Sequence, residues 1–188
     1  MEREYLSRRQ VLGAAAGVVA GLSLTTACKS PLRRSSSPKG FKIGVCDWTI
    51  GKRSDPASFE VAKRIGLDGV QVDFGGGEKD LQLFDTDLQA KILAEAAKQE
   101  MEIASLALAK LNDVPYKSDP RTEGWVSQAV DVAKAMRVNV ILMAFFGNGD
   151  LQNDPKGTDE VVKRLKKVAP KAEDAGVALA IESWLSAE

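Results

Sequence analysis

Beyond residue 40 the chain alternates short apolar runs with stretches in which apolar residues recur every three or four positions. The runs are Phe41–Cys46, Val70–Phe74, Ile103–Ala109, Val138–Phe146 and Val177–Ile181. Each is near-continuously apolar, as expected of parallel strands covered on both faces. The stretches between them read as helices. Asp55-Pro56 is an N-cap with proline at the first helical position, followed by the stripe Phe59, Ala62 and Ile65 and the stop Gly66. Asp85 or Thr86 caps a second helix carrying Leu88, Ile92 and Ala96. A third carries Trp125, Ala129, Val132, Ala133 and Met136. The fourth carries Val161, Leu165, Val168 and Ala172 up to Gly176, and Pro170 inside it predicts a kink.

Representative strand residues at 43, 70, 103, 138 and 177 therefore lie 27 to 39 apart, close to the roughly 31 residues per βα unit of a ~250-residue barrel. Residues 41–188 number 148, which is room for five strands and four helices. Two α/β architectures fit. One is a five-stranded doubly wound sheet. The other is a (β/α)8 TIM barrel truncated after strand five. Periodicity does not choose between them.

The first 40 residues follow different rules. Arg8-Arg9 precedes the apolar run Val11 to Leu24, which is shorter than the roughly 20 residues a spanning helix needs. A basic start, a short apolar middle and small residues at the end make 1–27 a signal peptide, and the paired arginines resemble the twin-arginine export signal. Cys28 follows Leu24-Thr25-Thr26-Ala27, which resembles a lipoprotein lipobox, so Cys28 is a candidate lipidation site and lipid anchor. Ordinary cleavage after a small residue is the alternative. Residues 28–40, with four serines and two prolines in Lys29–Gly40, read as a disordered linker to a domain over 41–188. The expected location is outside the cytoplasm, either periplasmic or membrane-anchored in a bacterium.

Composition narrows the chemistry. The sequence contains no histidine, which excludes a Ser-His-Asp triad, a Cys-His dyad and a histidine-ligated zinc within this chain. Cys28 and Cys46 are its two cysteines, too few for a disulfide framework. The formal net charge is zero, and residues 41–188 hold 19 basic and 24 acidic side chains, so nucleic acid is not an expected partner.

In either architecture, function gathers where parallel strands end. Those ends carry Asp47 and Trp48, then Asp73, then Lys110, Asn112 and Asp113, then Asn148 and Asp150, and last Glu182 and Trp184. Glu182 follows Ala178-Leu179-Ala180-Ile181, and a carboxylate beside so apolar a segment is desolvated unless paired or metal-bound. It is the leading candidate for a general base or a metal ligand. Asp47, Trp48 and Asp73 are candidates for substrate binding, with Trp48 suited either to stacking on the C–H face of a sugar ring or to plugging the barrel end. Gly75-Gly76-Gly77 lacks the spacing of a phosphate-binding fingerprint and reads as a flexible loop.

Three segments carry a family resemblance: Ile43-Gly44-Val45-Cys46-Asp47-Trp48, Gly66-Leu67-Asp68-Gly69-Val70-Gln71 and Ala175-Gly176-Val177-Ala178-Leu179-Ala180-Ile181-Glu182. In order and spacing they resemble the xylose isomerase-like TIM-barrel family, often called sugar phosphate isomerases/epimerases. The resemblance covers the first five βα units. It implies metal-assisted proton transfer next to the carbonyl of a sugar or sugar phosphate. It also implies a divalent metal, Mn or Mg, in the complete barrel, with Glu182 as the ligand ending strand five and a participant in proton transfer. Ligands from strands six to eight have no counterpart in this sequence, so the expectation is an inactive fragment that does not bind metal alone. Many relatives carry glutamate on strand two where this chain has Gln71. The alternatives are a non-catalytic flavodoxin-like binding domain, or a barrel fragment acting only with a partner chain. In a cut barrel the first and fifth strands would each have one open side, and neither carries a central lysine or proline, so self-association through those edges is expected.

Overall fold

The computed structural model describes residues 40–77 and 80–184. The expectations for the signal peptide, the linker and Cys28 lie outside these residues. Within them the chain runs β1 (Gly44–Cys46), α1 (Ser58–Ile65), β2 (Gly69–Asp73), α2 (Thr86–Lys98), β3 (Glu102–Leu108), α3 (Arg121–Met136), β4 (Val140–Phe145), α4 (Pro155–Ala175) and β5 (Ala178–Ser183).

All five strands are parallel and pair in sequence order, β1-β2-β3-β4-β5. That order decides the architecture. A doubly wound sheet reverses direction at a switch point, so its first strand lies inside with a neighbour on each side. Here each strand pairs only with its neighbours in sequence, the arrangement of a barrel wall. Because every right-handed crossover then advances the same way, the helices gather on one face. The core lies there: Val70, Val72, Leu106, Leu108, Ile141 and Met143 pack against Phe59, Ile92, Val126 and Ala129. The opposite face, a barrel's interior, is more polar. On it Cys46 Sγ donates to Gln71 Oε1 at 3.0 Å and Gln71 Nε2 donates to Ser105 Oγ at 2.7 Å, a ladder across three strands.

Some local expectations are corrected. The first strand is three residues long instead of Phe41–Cys46, and Phe41 is wholly exposed, because among the described residues nothing pairs with its outer side. Asp55 does not cap α1 directly; its Oδ1 accepts from the Ala57 N–H at 2.9 Å, and the helix starts at Ser58. Ile65 is 58% exposed, since α1 ends on it and turns away through Gly66 at φ 94°. Pro170 does not interrupt α4, which is continuous to Ala175. That proline is exposed, so the carbonyl it leaves unbonded one turn earlier faces water. Asp85, by contrast, caps α2 as expected, accepting from the Asp87 N–H at 2.8 Å.

Charge ties α4 to α3, through Lys167 and Glu123 at 2.9 Å, and to the loop before α3. Arg164, almost fully buried, donates Nη1 to the Asp119 carbonyl at 2.8 Å and Nε to Glu160 at 2.9 Å, with its guanidinium over the Tyr116 ring. Burial pushes the Tyr116 hydroxyl up to about 12.

Candidate active site at the strand ends

Asp47 follows the last residue of β1 and turns its carboxylate under the neighbouring strand. Its Oδ2 accepts from the Ser54 N–H at 2.8 Å and the Asp73 N–H at 2.9 Å. The Asp47 carbonyl accepts from Lys52 N–H at 2.9 Å, and Ser54 Oγ donates to the Asp73 carbonyl at 3.0 Å. Ser54 adopts φ 52°, a left-handed conformation that costs a non-glycine residue energy and persists only where the surroundings enforce it. One carboxylate thus clamps the 52–54 turn onto the ends of β1 and β2.

Asp47 and Asp73 are both completely buried. Asp47 Oδ1 and Asp73 Oδ2 make no hydrogen bond among the described residues. An Arg53 nitrogen stands 3.2 Å from Asp73 Oδ2, close enough for an ion pair though not aligned as a hydrogen bond. Asp73 Oδ1 accepts weakly from the Ala109 N–H at 3.3 Å. Burial pushes the Asp47 carboxyl up to about 6 despite its two backbone donors. Burial also raises Asp73, with Arg53 opposing the shift. The Cys46 thiol is raised by burial and by the carboxylates near it.

In front of this pair lies a cavity of about 250 Å³ lined by Trp48, Arg53, Ala109, Asn112, Leu142, Ala144, Phe146 and Glu182. The strand register explains the grouping, since Leu142 pairs with Ala180 and Ala144 with Glu182. Asn112 Oδ1 accepts from the Phe146 N–H at 2.8 Å, fixing one wall. Phe146 meets Trp184 edge to face, with centroids 5.3 Å apart. The Arg53 guanidinium lies over Trp48, 5.8 Å from the ring centre.

The structure therefore divides the candidates. Trp48 and Glu182 line the cavity, while Asp47 and Asp73 are not among its lining residues: Asp47 Oδ2 accepts from backbone, Asp47 Oδ1 has no partner among the described residues, and Asp73 faces Ala109 N–H and Arg53. Glu182 is exposed, not desolvated, because among the described residues β5 pairs only with β4 and its far side meets solvent. Lys110 pairs with Asp113 at 3.0 Å, Asn148 Nδ2 donates to the Asp113 carbonyl at 3.2 Å, and Asp150 accepts from the Gln152 N–H at 2.9 Å. Those four shape loops. Gly75 has φ 73°, and a Cβ there would collide with Gln82 and Ser54, so this glycine serves a close approach. Arg53, Ser54 and Phe146 were not singled out from sequence. The basic pair Lys52-Arg53 in the first βα loop was the available signal for Arg53.

Among the described residues no three of His, Cys, Asp and Glu converge as a metal site. Among the described residues Glu182 is the one carboxylate lining the cavity, and one ligand does not fit a six-coordinate divalent cation.

Comparison with known proteins agrees with this geometry. The chain is 24% identical over 145 residues to a 2-epi-5-epi-valiolone 7-phosphate 2-epimerase from Actinoplanes sp., covering 77% of this chain and 53% of that protein. A xylose isomerase-like TIM barrel protein from Mycobacterium smegmatis, solved with magnesium, superposes with TM-score 0.60 at 13% identity, over 77% of this chain and 55% of the other. A D-psicose 3-epimerase solved with D-fructose superposes with TM-score 0.58 at 13% identity, over 75% and 52%. The chain thus spans about half the length of each. A family model described as "Xylose isomerase-like TIM barrel" matches residues 59–187, and the chain belongs to that family.

Proposed function

We propose that this chain forms the first five strands and four helices of a sugar or sugar-phosphate isomerase/epimerase barrel, and that Glu182 moves the proton next to the sugar carbonyl. The observation that carries the reading is the cavity at the carboxyl ends of the strands, where Glu182 shares a wall with two aromatic rings. A carboxylate there is a suitable base for a C–H made acidic by an adjacent carbonyl. Trp48 and Phe146 offer apolar faces to the C–H surface of a sugar ring. Asn112, its oxygen engaged by Phe146, keeps its amide N–H groups for a hydroxyl. A divalent Mn or Mg belongs to the complete barrel. The described residues do not fit it by themselves, and no step is derived through it.

The test is proton exchange. The full chain, given Mn²⁺ and a ketohexose or its phosphate in D₂O, incorporates no deuterium beside the carbonyl. Mixed with a polypeptide carrying the fifth helix and βα units six to eight of a relative, it does, and Glu182→Gln abolishes the exchange. Exchange by the chain alone would refute its dependence on further strands. Exchange surviving in the Gln variant would remove Glu182 from the chemistry.

From Arg8-Arg9 and the short apolar run after them, we also propose that the protein is exported, with its mature end at or near Cys28. Replacing Arg8 and Arg9 with lysine is expected to leave precursor in the cytoplasm; unchanged processing would refute twin-arginine export.

A further inference from the structure

Among the described residues one cation lines the cavity, Arg53, and the turn that bears it is fixed in place. Three contacts fix the turn that bears it: Lys52 N–H on the Asp47 carbonyl, Ser54 N–H on Asp47 Oδ2, and Ser54 Oγ on the Asp73 carbonyl. The turn also tolerates the positive φ of Ser54. Yet the guanidinium itself is only partly engaged. It lies near Asp73 Oδ2 without an aligned hydrogen bond, rests over Trp48, and donates no hydrogen bond among the described residues. Its side chain is 51% exposed, at the cavity wall opposite no other cation. A guanidinium offers five N–H donors in a planar fork that matches an oxyanion.

We propose that Arg53 is a specificity-determining residue that grips an oxyanion on the substrate, so that the site takes sugars bearing a phosphate or carboxylate in preference to neutral ones. This rests on the sugar-binding reading of the cavity and narrows its substrate class. The alternative role for Arg53, neutralising Asp73, explains the ion pair. It does not explain why the turn is fixed with half of the side chain still exposed on the cavity wall. Trp48 fits the scheme as the surface along which the guanidinium lies, leaving its edge free for the ligand.

Calorimetric titration of the full chain without added metal tests the idea, using fructose 6-phosphate, glucuronate, fructose and inorganic phosphate as probes. Charge-assisted contacts of this kind correspond to about tenfold to a hundredfold in affinity. The expected result is that fructose 6-phosphate, glucuronate or both bind at least about tenfold tighter than fructose. Which of the two is preferred identifies the anion. Arg53→Met should remove the preference, Arg53→Lys should keep part of it, and unchanged urea unfolding in both variants would show that the fold is intact. Equal affinity for charged and neutral sugars in the wild type, a preference that survives Arg53→Met, or no binding of any probe would each overturn the proposal. Arg53-dependent binding of inorganic phosphate, with no proton exchange in the reassembled barrel, would support the anion site and sink the isomerase/epimerase reading instead.

Discussion

At the scale of single residues, Asp47 is where the sequence and its environment diverge most. Its place after the first strand was legible, because the apolar run stops there. Its burial was not, since that depends on residues 52–54 folding back over it and on Asp73 one strand away. Burial lifts its carboxyl to about 6, above the 3.8 of an exposed aspartate. Below pH 4 both folded and unfolded chains hold the proton. As pH rises from 4 to 6 the unfolded chain releases it first, so the native state loses stability across that window and stays lower above it. The loss from this group is roughly 2–3 kcal/mol by the linkage of pKa to free energy. Asp47→Asn keeps an oxygen for the Ser54 and Asp73 N–H groups and removes the ionisation. Urea unfolding at pH 4 and pH 7.5 should show a smaller drop in the variant, and an identical drop would show that Asp47 is not the group responsible. Glu182 shows the converse case. Its position was legible from the apolar run before it, but its exposure follows from the sheet's pairing, which periodicity does not record.

At the scale of elements, what was read well is what local chemistry determines. The second to fifth strands fall within about two residues of their apolar runs, because each lies against helices that require an apolar face. The first strand is shorter than its apolar run because Phe41 and Ile43 have strand-like side chains but are mostly exposed, with no neighbouring strand on their outer side among the described residues. Asp85 caps α2 as its spacing implied, and Asp85→Ala should cost about 1 kcal/mol in urea unfolding. Arg164 was invisible beforehand, since one arginine in a charged helix looks like any other. Its almost fully buried head holds the Asp119 carbonyl and Glu160 together. Arg164→Ala should lower stability by about 1–2 kcal/mol, because it removes a charge-assisted hydrogen bond to the Asp119 carbonyl and the packing on Tyr116, while Thr122 and Lys163 still donate to the two acceptors. A loss below about 0.5 kcal/mol, the usual scatter of surface substitutions, would mean that the α3–α4 contact does not need this charge.

For the molecule as a whole, strand order was the piece that one-dimensional pattern lacked, because both architectures share the same alternation of elements. The consecutive order leaves β1 and β5 each paired on one side among the described residues, and Ile43, Ile181 and Trp184 are each more than half exposed there. Open apolar edges recruit other strands. The purified chain is therefore expected to sediment as dimers or larger species. A compact monomer that unfolds cooperatively would contradict this. The ladder from Cys46 through Gln71 to Ser105 has a kinetic consequence. Cys46 is half-buried on the face that any completing strands would cover, and its thiol is held protonated by burial and by neighbouring carboxylates. Its alkylation should be slow in the isolated chain and slower again once that face is closed, so the rate at this one sulfur times the closing of the barrel from within.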